Sequence, residues 1–261
     1  MKVDTGIAPT RWGEYEIRGP IHLYRERLLL RHFRRHLRRG RVLDAGSGSG
    51  SMLFELLRAG YAVTGVEAAA DFVALVRQRA MRLGVTGLLD IHQGQVTRIQ
   101  CDDGSFDGII CGEVLEHVLP EHGGDAAAVA EFRRLLRPGG ICAVSVPLGP
   151  GQWDHTDEWA RHVKRYARGE LMRLLGDHGL EVLLVRSWGF PMGRLYHRLL
   201  FAPWVRRTAG GPAAQRESRI DTRCGRHPLV MHSLAAVLRV DELFGRLPWG
   251  RGLIAIARTA G

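Results

Sequence analysis

Lysine is almost missing from this chain: of its 37 lysine and arginine residues, all but Lys2 and Lys164 are arginine. A formal charge of +10 would suit a nucleic-acid partner. Arginine in place of lysine, with abundant alanine and glycine, instead reads as the codon usage of a high-GC bacterium. The densest basic run, Arg31 to Arg41, holds no aromatic besides Phe33 and reads as a solvated helix face, so nucleic acid is not the expected partner. Cysteine is scarce too. Cys101, Cys111, Cys142 and Cys224 show no C-x-x-C spacing, which argues against paired-cysteine metal and redox motifs and for free thiols in a reducing cytoplasm. No apolar stretch is long enough to cross a bilayer. Met1 to Arg18 lacks the apolar run of a secretory signal, so the expectation is a cytoplasmic protein, monomer or homodimer. Repeats and low-complexity tracts are absent as well.

Glycine, by contrast, is plentiful, and its placement is informative. Val42-Leu43-Asp44 ends a short apolar strand, and Ala45-Gly46-Ser47-Gly48-Ser49-Gly50 then opens a helix near Ser51. Alternating glycines let backbone approach a ligand, and the helix start supplies unpaired N–H groups. A dinucleotide site reads G-x-G-x-x-G and seats a pyrophosphate. Here Ser51 stands where the third glycine would be, and Asp44 would repel a pyrophosphate. That carboxylate suits a cofactor carrying an amine. A second strand, Tyr61 to Val66, ends at Glu67-Ala68, where a carboxylate can accept from both ribose hydroxyls.

Patterning organises the rest. His22 to Arg39 reads as an amphipathic helix, with Leu23, Leu30, Phe33 and Leu37 on its apolar side and Gly40 as its stop. Strands are expected near 41–45, 61–66, 88–93, 106–111, 141–146 and 180–187, with helices near 51–59, 70–83, 125–136 and 168–178. Alternation of this kind implies a parallel sheet with right-handed crossovers. A last apolar run, Leu253 to Ala257, would be a seventh strand. Residues 190–250 intervene, too many for a structureless loop, and they read as a helical lid or substrate-binding insertion. It would hold the aromatic and basic stretch Arg194 to Arg207, a polar loop from Gly210 to Arg226, and a second helical pattern from Leu229 to Leu247.

The glycine loop, Asp44 and Glu67 together resemble the class I S-adenosylmethionine-dependent methyltransferases. The resemblance continues through Phe106 to Cys111, Glu113-Val114-Leu115-Glu116-His117-Val118, and the turn Leu136-Arg137-Pro138-Gly139-Gly140, over roughly residues 40–190. It implies an α/β, Rossmann-like, seven-stranded mostly parallel sheet with an antiparallel last strand, helices on both faces and the helical insertion between strands six and seven. A single domain would then comprise a lead-in and helix (1–39), a cofactor-binding core (40–189), the insertion (190–250) and the final strand (251–261). It further implies S-adenosylmethionine as cofactor, held by Asp44, Gly46, Ser47, Gly48, Glu67, Ala68, Gln95 and Cys111. Gln95 stands where the family often has an aspartate reading the adenine amine.

Activating residues should lie at the carboxyl ends of strands four and five. Glu113, Glu116 and His117, at i, i+3 and i+4, would share one helix face. With His162 they offer ligands for Mg²⁺ or Mn²⁺, an arrangement resembling the E-x-x-E-H helix and distal histidine of ubiquinone-pathway O-methyltransferases and small-RNA ribose methyltransferases. Alternatively His117, His155 or His162 acts directly as a base, or the group only caps and salt-bridges. Trp153, Trp159 and Tyr166, with Trp188, are candidate walls for an acceptor. The expected reaction is methyl transfer to a small-molecule hydroxyl oxygen, on a secondary metabolite or lipid-like precursor. The alternatives are an RNA ribose methyltransferase or the same fold in another cofactor-dependent role. Arg194 to Arg207 also mixes apolar and basic residues in a way that permits peripheral membrane contact.

Overall fold

The computed structural model describes residues 19–208 and 228–261. The lead-in with Trp12 and Tyr15, the polar stretch 210–226 and Cys224 lie outside the described residues. Helix α1 (Pro20–His36) starts with proline at its first turn, where no donor is lost, and ends where Leu37 turns extended. It therefore stops three residues before the expected end. Its buried face carries Tyr24, Leu28, Leu29 and Phe33. Phe33 lies so close to Gly108 that a β-carbon there would come within 2.5 Å of the ring.

Seven strands follow: β1 (Arg41–Ala45), β2 (Ala62–Glu67), β3 (Leu89–Gln93), β4 (Phe106–Gly112), β5 (Leu136–Pro147), β6 (Leu180–Trp188) and β7 (Gly252–Thr259). They form one sheet in the order β3-β2-β1-β4-β5-β7-β6. Pairing is parallel from β3 through β5, and β7 runs antiparallel between β5 and β6. This is the Rossmann-like methyltransferase architecture. Helices α2 (Ser51–Arg58), α3 (Ala70–Arg82), α4 (Gly124–Leu135), α5 (His155–Ala160) and α6 (Arg168–Asp177) cover the sheet. A continuous apolar run makes β7 because a central strand is enclosed on both faces. Ile254 and Ile256 are fully buried there, each contributing about 2 kcal/mol of transfer free energy.

The chain reverses its direction of strand addition between β1 and β4. A crevice opens at such a switch point, outside the carboxyl ends of the strands. Two local expectations change. Leu136 to Gly140 is the beginning of β5, not a turn before it, with Leu136 paired to Phe106. Glu113 to Val118 is not an α-helix: Glu113 has φ 58°, and only Leu115–His117 makes a single 3₁₀ turn.

Between β6 and β7 the insertion comprises α7 (Met192–Tyr196), a π-helical turn (His197–Phe201) and α8 (Ala202–Thr208). After the undescribed stretch come α9 (Pro228–Val237) and a 3₁₀ segment (Leu238–Phe244). Buried Asp241 accepts hydrogen bonds from the Met192 and Gly193 N–H groups, tying the two parts together. No helix among the described residues is long and apolar enough to cross a membrane.

Candidate active site

The loop after β1 is built by backbone. Gly46 and Ser47 donate to the Val66 carbonyl at 2.8 and 3.0 Å, clamping the loop to the end of β2. Gly46 has φ 77°, and a β-carbon on it would meet the Val114 side chain at 2.4 Å, so only glycine fits. Gly48, at φ 50°, faces open space. Glu67 accepts from the Gly48 N–H at 2.8 Å and the Ala69 N–H at 2.9 Å, one bond to each carboxylate oxygen. Lone pairs remain on both oxygens. Asp44 is buried at the end of β1, and the buried Ser47 hydroxyl has no partner among the described residues. Gly94 donates to the Glu67 carbonyl, which brings exposed Gln95 to the same edge, and Ala68 accepts from Gln93. Cys111 is different: it is fully buried in the core beneath the crevice, and burial pushes its thiol well up. Its side chain faces protein, so any cofactor contact from this position falls to its backbone.

Val114 lies against the glycine loop, so the next few residues stand beside the cofactor crevice. Glu116, His117 and His162 each present one ligand atom, and these lie within 4.8 Å of one another. Glu116 is completely buried, and neither carboxylate oxygen has a hydrogen-bond partner among the described residues. Burial, with Glu113 nearby, raises its pKa well above the usual range. His117 Nδ1 donates to the Arg161 carbonyl at 3.2 Å. His162 Nδ1 donates to the buried Asp157 carboxylate at 2.8 Å, and its Nε2 stands 4.0 Å from Glu116. Nδ1 is the donor on both rings, so the neutral tautomer that fits these bonds turns an Nε2 acceptor to the cluster. Carboxylate and carbonyl partners orient metal-ligating histidines in the same way. Enclosure by protein and the adjacent His162 ring lower the His117 pKa, although one side of that ring meets solvent.

Glu113 does not join this group. Its left-handed backbone turns the side chain towards α1, where Arg25 stands 3.6 Å away. Glu113 and Arg161 are the two non-glycine residues with positive φ among the described residues. Both flank the cluster, and strain of this kind concentrates at functional sites. Arg25, His22 and Glu26 were missed by sequence reasoning. They lie on one face of α1, with Arg25 over Trp188 and Glu26 accepting from Ser51. Their spacing of i, i+3 and i+4 was the available signal.

The remaining candidates are dispersed. His155 Nε2 donates to the Ala202 carbonyl at 3.0 Å, so it ties the start of α5 to the insertion and is not part of the cluster. Asp154 caps α5 and accepts from His197 at 2.9 Å, a second tie. Trp159 packs edge-on against Phe201 and Trp204 of the insertion, and Trp153 is exposed. Tyr166 is fully buried and donates to Asp125 at 2.7 Å; it is a core residue, since its hydroxyl is already used. Trp188 is buried against Gly252.

Residues 43–144 match the family described as methyltransferase domain. A ubiquinone biosynthesis O-methyltransferase of Sodalis glossinidius (strain morsitans) is 37% identical over 100 residues, 38% of each chain. Its counterpart in Nitrosococcus oceani (strain ATCC 19707 / BCRC 17464 / JCM 30415 / NCIMB 11848 / C-107) is 36% identical over 137 residues, 50% of this chain and 54% of that protein. The chain thus spans at most about half the length of these curated relatives. Among solved structures, one described as a putative sarcosine dimethylglycine methyltransferase from Galdieria sulphuraria superposes with a TM-score of 0.64 at 18% identity. That match covers 91% of this chain and 86% of the other.

Proposed function

We propose that this chain, whose segment 43–144 belongs to the methyltransferase domain family, transfers the methyl group of S-adenosylmethionine to a hydroxyl oxygen of a small acceptor. When bound, S-adenosylmethionine supplies a methyl group on a sulfonium, already activated for attack. The protein's task is then to align the acceptor with that methyl and to remove the hydroxyl proton. Glu67 offers its remaining lone pairs to the ribose hydroxyls, Gly46 and Gly48 admit the methionine part, and buried Asp44 favours its amine. The partnerless Ser47 hydroxyl and the open space over Gly48 fit such an occupant.

One observation supports the activating group: a fully buried glutamate with no hydrogen-bond partner on either oxygen, beside two imidazoles whose Nδ1 atoms are already bonded to protein. Glu116, His117 and His162 would hold a divalent cation, whose Lewis acidity would lower the pKa of an acceptor hydroxyl. With Glu113 withdrawn, the donors are two nitrogens and one carboxylate, which suits Mn²⁺ better than Mg²⁺. The oxygen acceptor is supported by the relatives, two of which are described as ubiquinone biosynthesis O-methyltransferases.

Calorimetry with S-adenosylhomocysteine tests the first part. Micromolar binding should fall by about 2–3 kcal/mol in Glu67→Ala, the worth of charge-assisted hydrogen bonds, and no binding to the wild type would refute the reading. Titration with Mn²⁺ and Mg²⁺ tests the second. A Mn²⁺ heat absent from Glu116→Gln is expected. No heat, with or without cofactor, would leave the His117 and His162 imidazoles as the candidate proton acceptors.

A further inference from the structure

Arg251, the residue before β7, is a largely buried cation with no anion of its own. Its backbone joins two strand ends at the crevice edge. The Arg251 N–H donates to the Trp188 carbonyl of β6 at 2.7 Å, and its carbonyl accepts from Leu148, just past β5, at 2.9 Å. The side chain is only 14% exposed, yet its guanidinium makes no hydrogen bond to a described residue. Its nearest carboxylate, Asp154, stands 3.8 Å away. That carboxylate already accepts from the Thr156 N–H and hydroxyl and from His197. Asp157 is taken as well, by His162 and Arg165.

Two further guanidinium groups act on the same place. Buried Arg165 donates to the Leu148 carbonyl at 3.0 Å, so Arg165 and Arg251 hold the two sides of one residue's backbone. Arg194 adds its charge from α7. Burial first, and Arg165 next, lower the Arg251 pKa to about 10, which still leaves it charged at neutral pH. Three cations thus meet two carboxylates, and both carboxylates are bonded elsewhere. An enclosed charge without compensation lowers stability, so a guanidinium kept there without a hydrogen bond is placed to meet a ligand. Its planar fork matches two oxygens of a carboxylate or phosphate. The path from Arg251 to the candidate metal group is short: Arg165 holds Asp157, Asp157 holds His162, and His162 stands beside Glu116.

On the reading that the crevice holds a methyl acceptor, we propose that Arg251 receives an oxyanion of that acceptor, a carboxylate or a phosphate ester, and so selects anionic acceptors. Benzoate, its neutral counterpart benzamide and inorganic phosphate are the probes. Each is added to the full chain with S-adenosylhomocysteine and followed by ¹⁵N NMR of the arginine side chains. Benzoate or phosphate should shift the Arg251 Nε signal, and benzamide should not. The tighter anion identifies the source, benzoate for a carboxylate and phosphate for a phosphate ester. Arg251→Met should weaken that anion about tenfold or more, the loss of a charge-assisted pair. Arg251→Lys keeps the charge without the fork and should weaken it less.

The methionine variant breaks no hydrogen bond of the side chain and relieves the crowding with Arg165, so its thermal midpoint should hold or rise. Its S-adenosylhomocysteine affinity should match wild type. A wild type that ignores S-adenosylhomocysteine would sink the methyl-transfer reading, whereas anion binding without cofactor still judges Arg251. No anion binding, binding unchanged in Arg251→Met, or benzamide as tight as benzoate would overturn the proposal. If Arg251→Met does not fold, Arg251→Lys decides: several-fold weaker binding supports the proposal, and wild-type affinity overturns it.

Discussion

The two halves of the crevice are made of different material. On the β1–β2 side the ligand-facing surface is backbone: glycine loop, strand-end amides, and one glutamate that braces them. On the β4–β5 side it is side chains, with Glu116 and His117 supplied by one loop and His162 by another. A backbone cradle is local in sequence, because consecutive residues form it. The side-chain cluster exists only because parallel pairing of β4 with β5 sets the two loops next to each other. A change in the first half should therefore act through conformation, and one in the second through charge and orientation.

Gly46→Val should have the largest effect. It forces a β-branched residue into a left-handed conformation and drives its side chain into Val114, costing about 4 kcal/mol of stability. Thermal melting would show the loss, and S-adenosylhomocysteine binding would go with it. Asp157→Asn tests the other half. The Asp157 carboxylate accepts from both His162 Nδ1 and Arg165 Nε, at 2.8 and 2.7 Å. Losing its charge leaves the buried guanidinium uncompensated, at about 3 kcal/mol. It also frees the His162 proton to move between ring nitrogens, which ¹⁵N NMR of His162 would report. Unchanged ring shifts would mean that Asp157 serves Arg165 alone.

A smaller effect is expected at Asp125, behind the cluster. Burial works against its charged form, but hydrogen bonds from Lys164 and Tyr166 prevail and hold its pKa below the usual aspartate value. A depressed folded-state pKa adds stability above the unfolded pKa and loses it as pH falls through the folded one. Asp125→Asn should therefore be less stable by about 1 kcal/mol at neutral pH. The difference should close in acid, below the ordinary aspartate range. A gap independent of pH would show that shape, not charge, holds Tyr166.

Strand and helix positions were legible because apolar period and glycine punctuation are local signals, and β7 was found as an apolar run alone. The metal-type group was reached by a wrong route. Spacing put Glu113, Glu116 and His117 on a helix face, whereas the loop turns at Glu113 and sends its carboxylate to Arg25. Tyr166 was a candidate acceptor wall because an aromatic near a site looks like a lining residue, whereas its side chain is fully buried and its hydroxyl is taken by Asp125, 41 positions away. Arg25 was invisible for the converse reason: an arginine on an arginine-rich helix carries no mark of its own.

Sequence by itself determined the fold and the cofactor side, because both rest on backbone geometry that glycine placement and strand period dictate over a few residues. Only the tertiary structure decided which acids and imidazoles meet, which histidine nitrogen each leaves free, and which apolar residues of the insertion stay outside. Those outcomes depend on the angle at which distant segments pack, and no short stretch of residues encodes that angle.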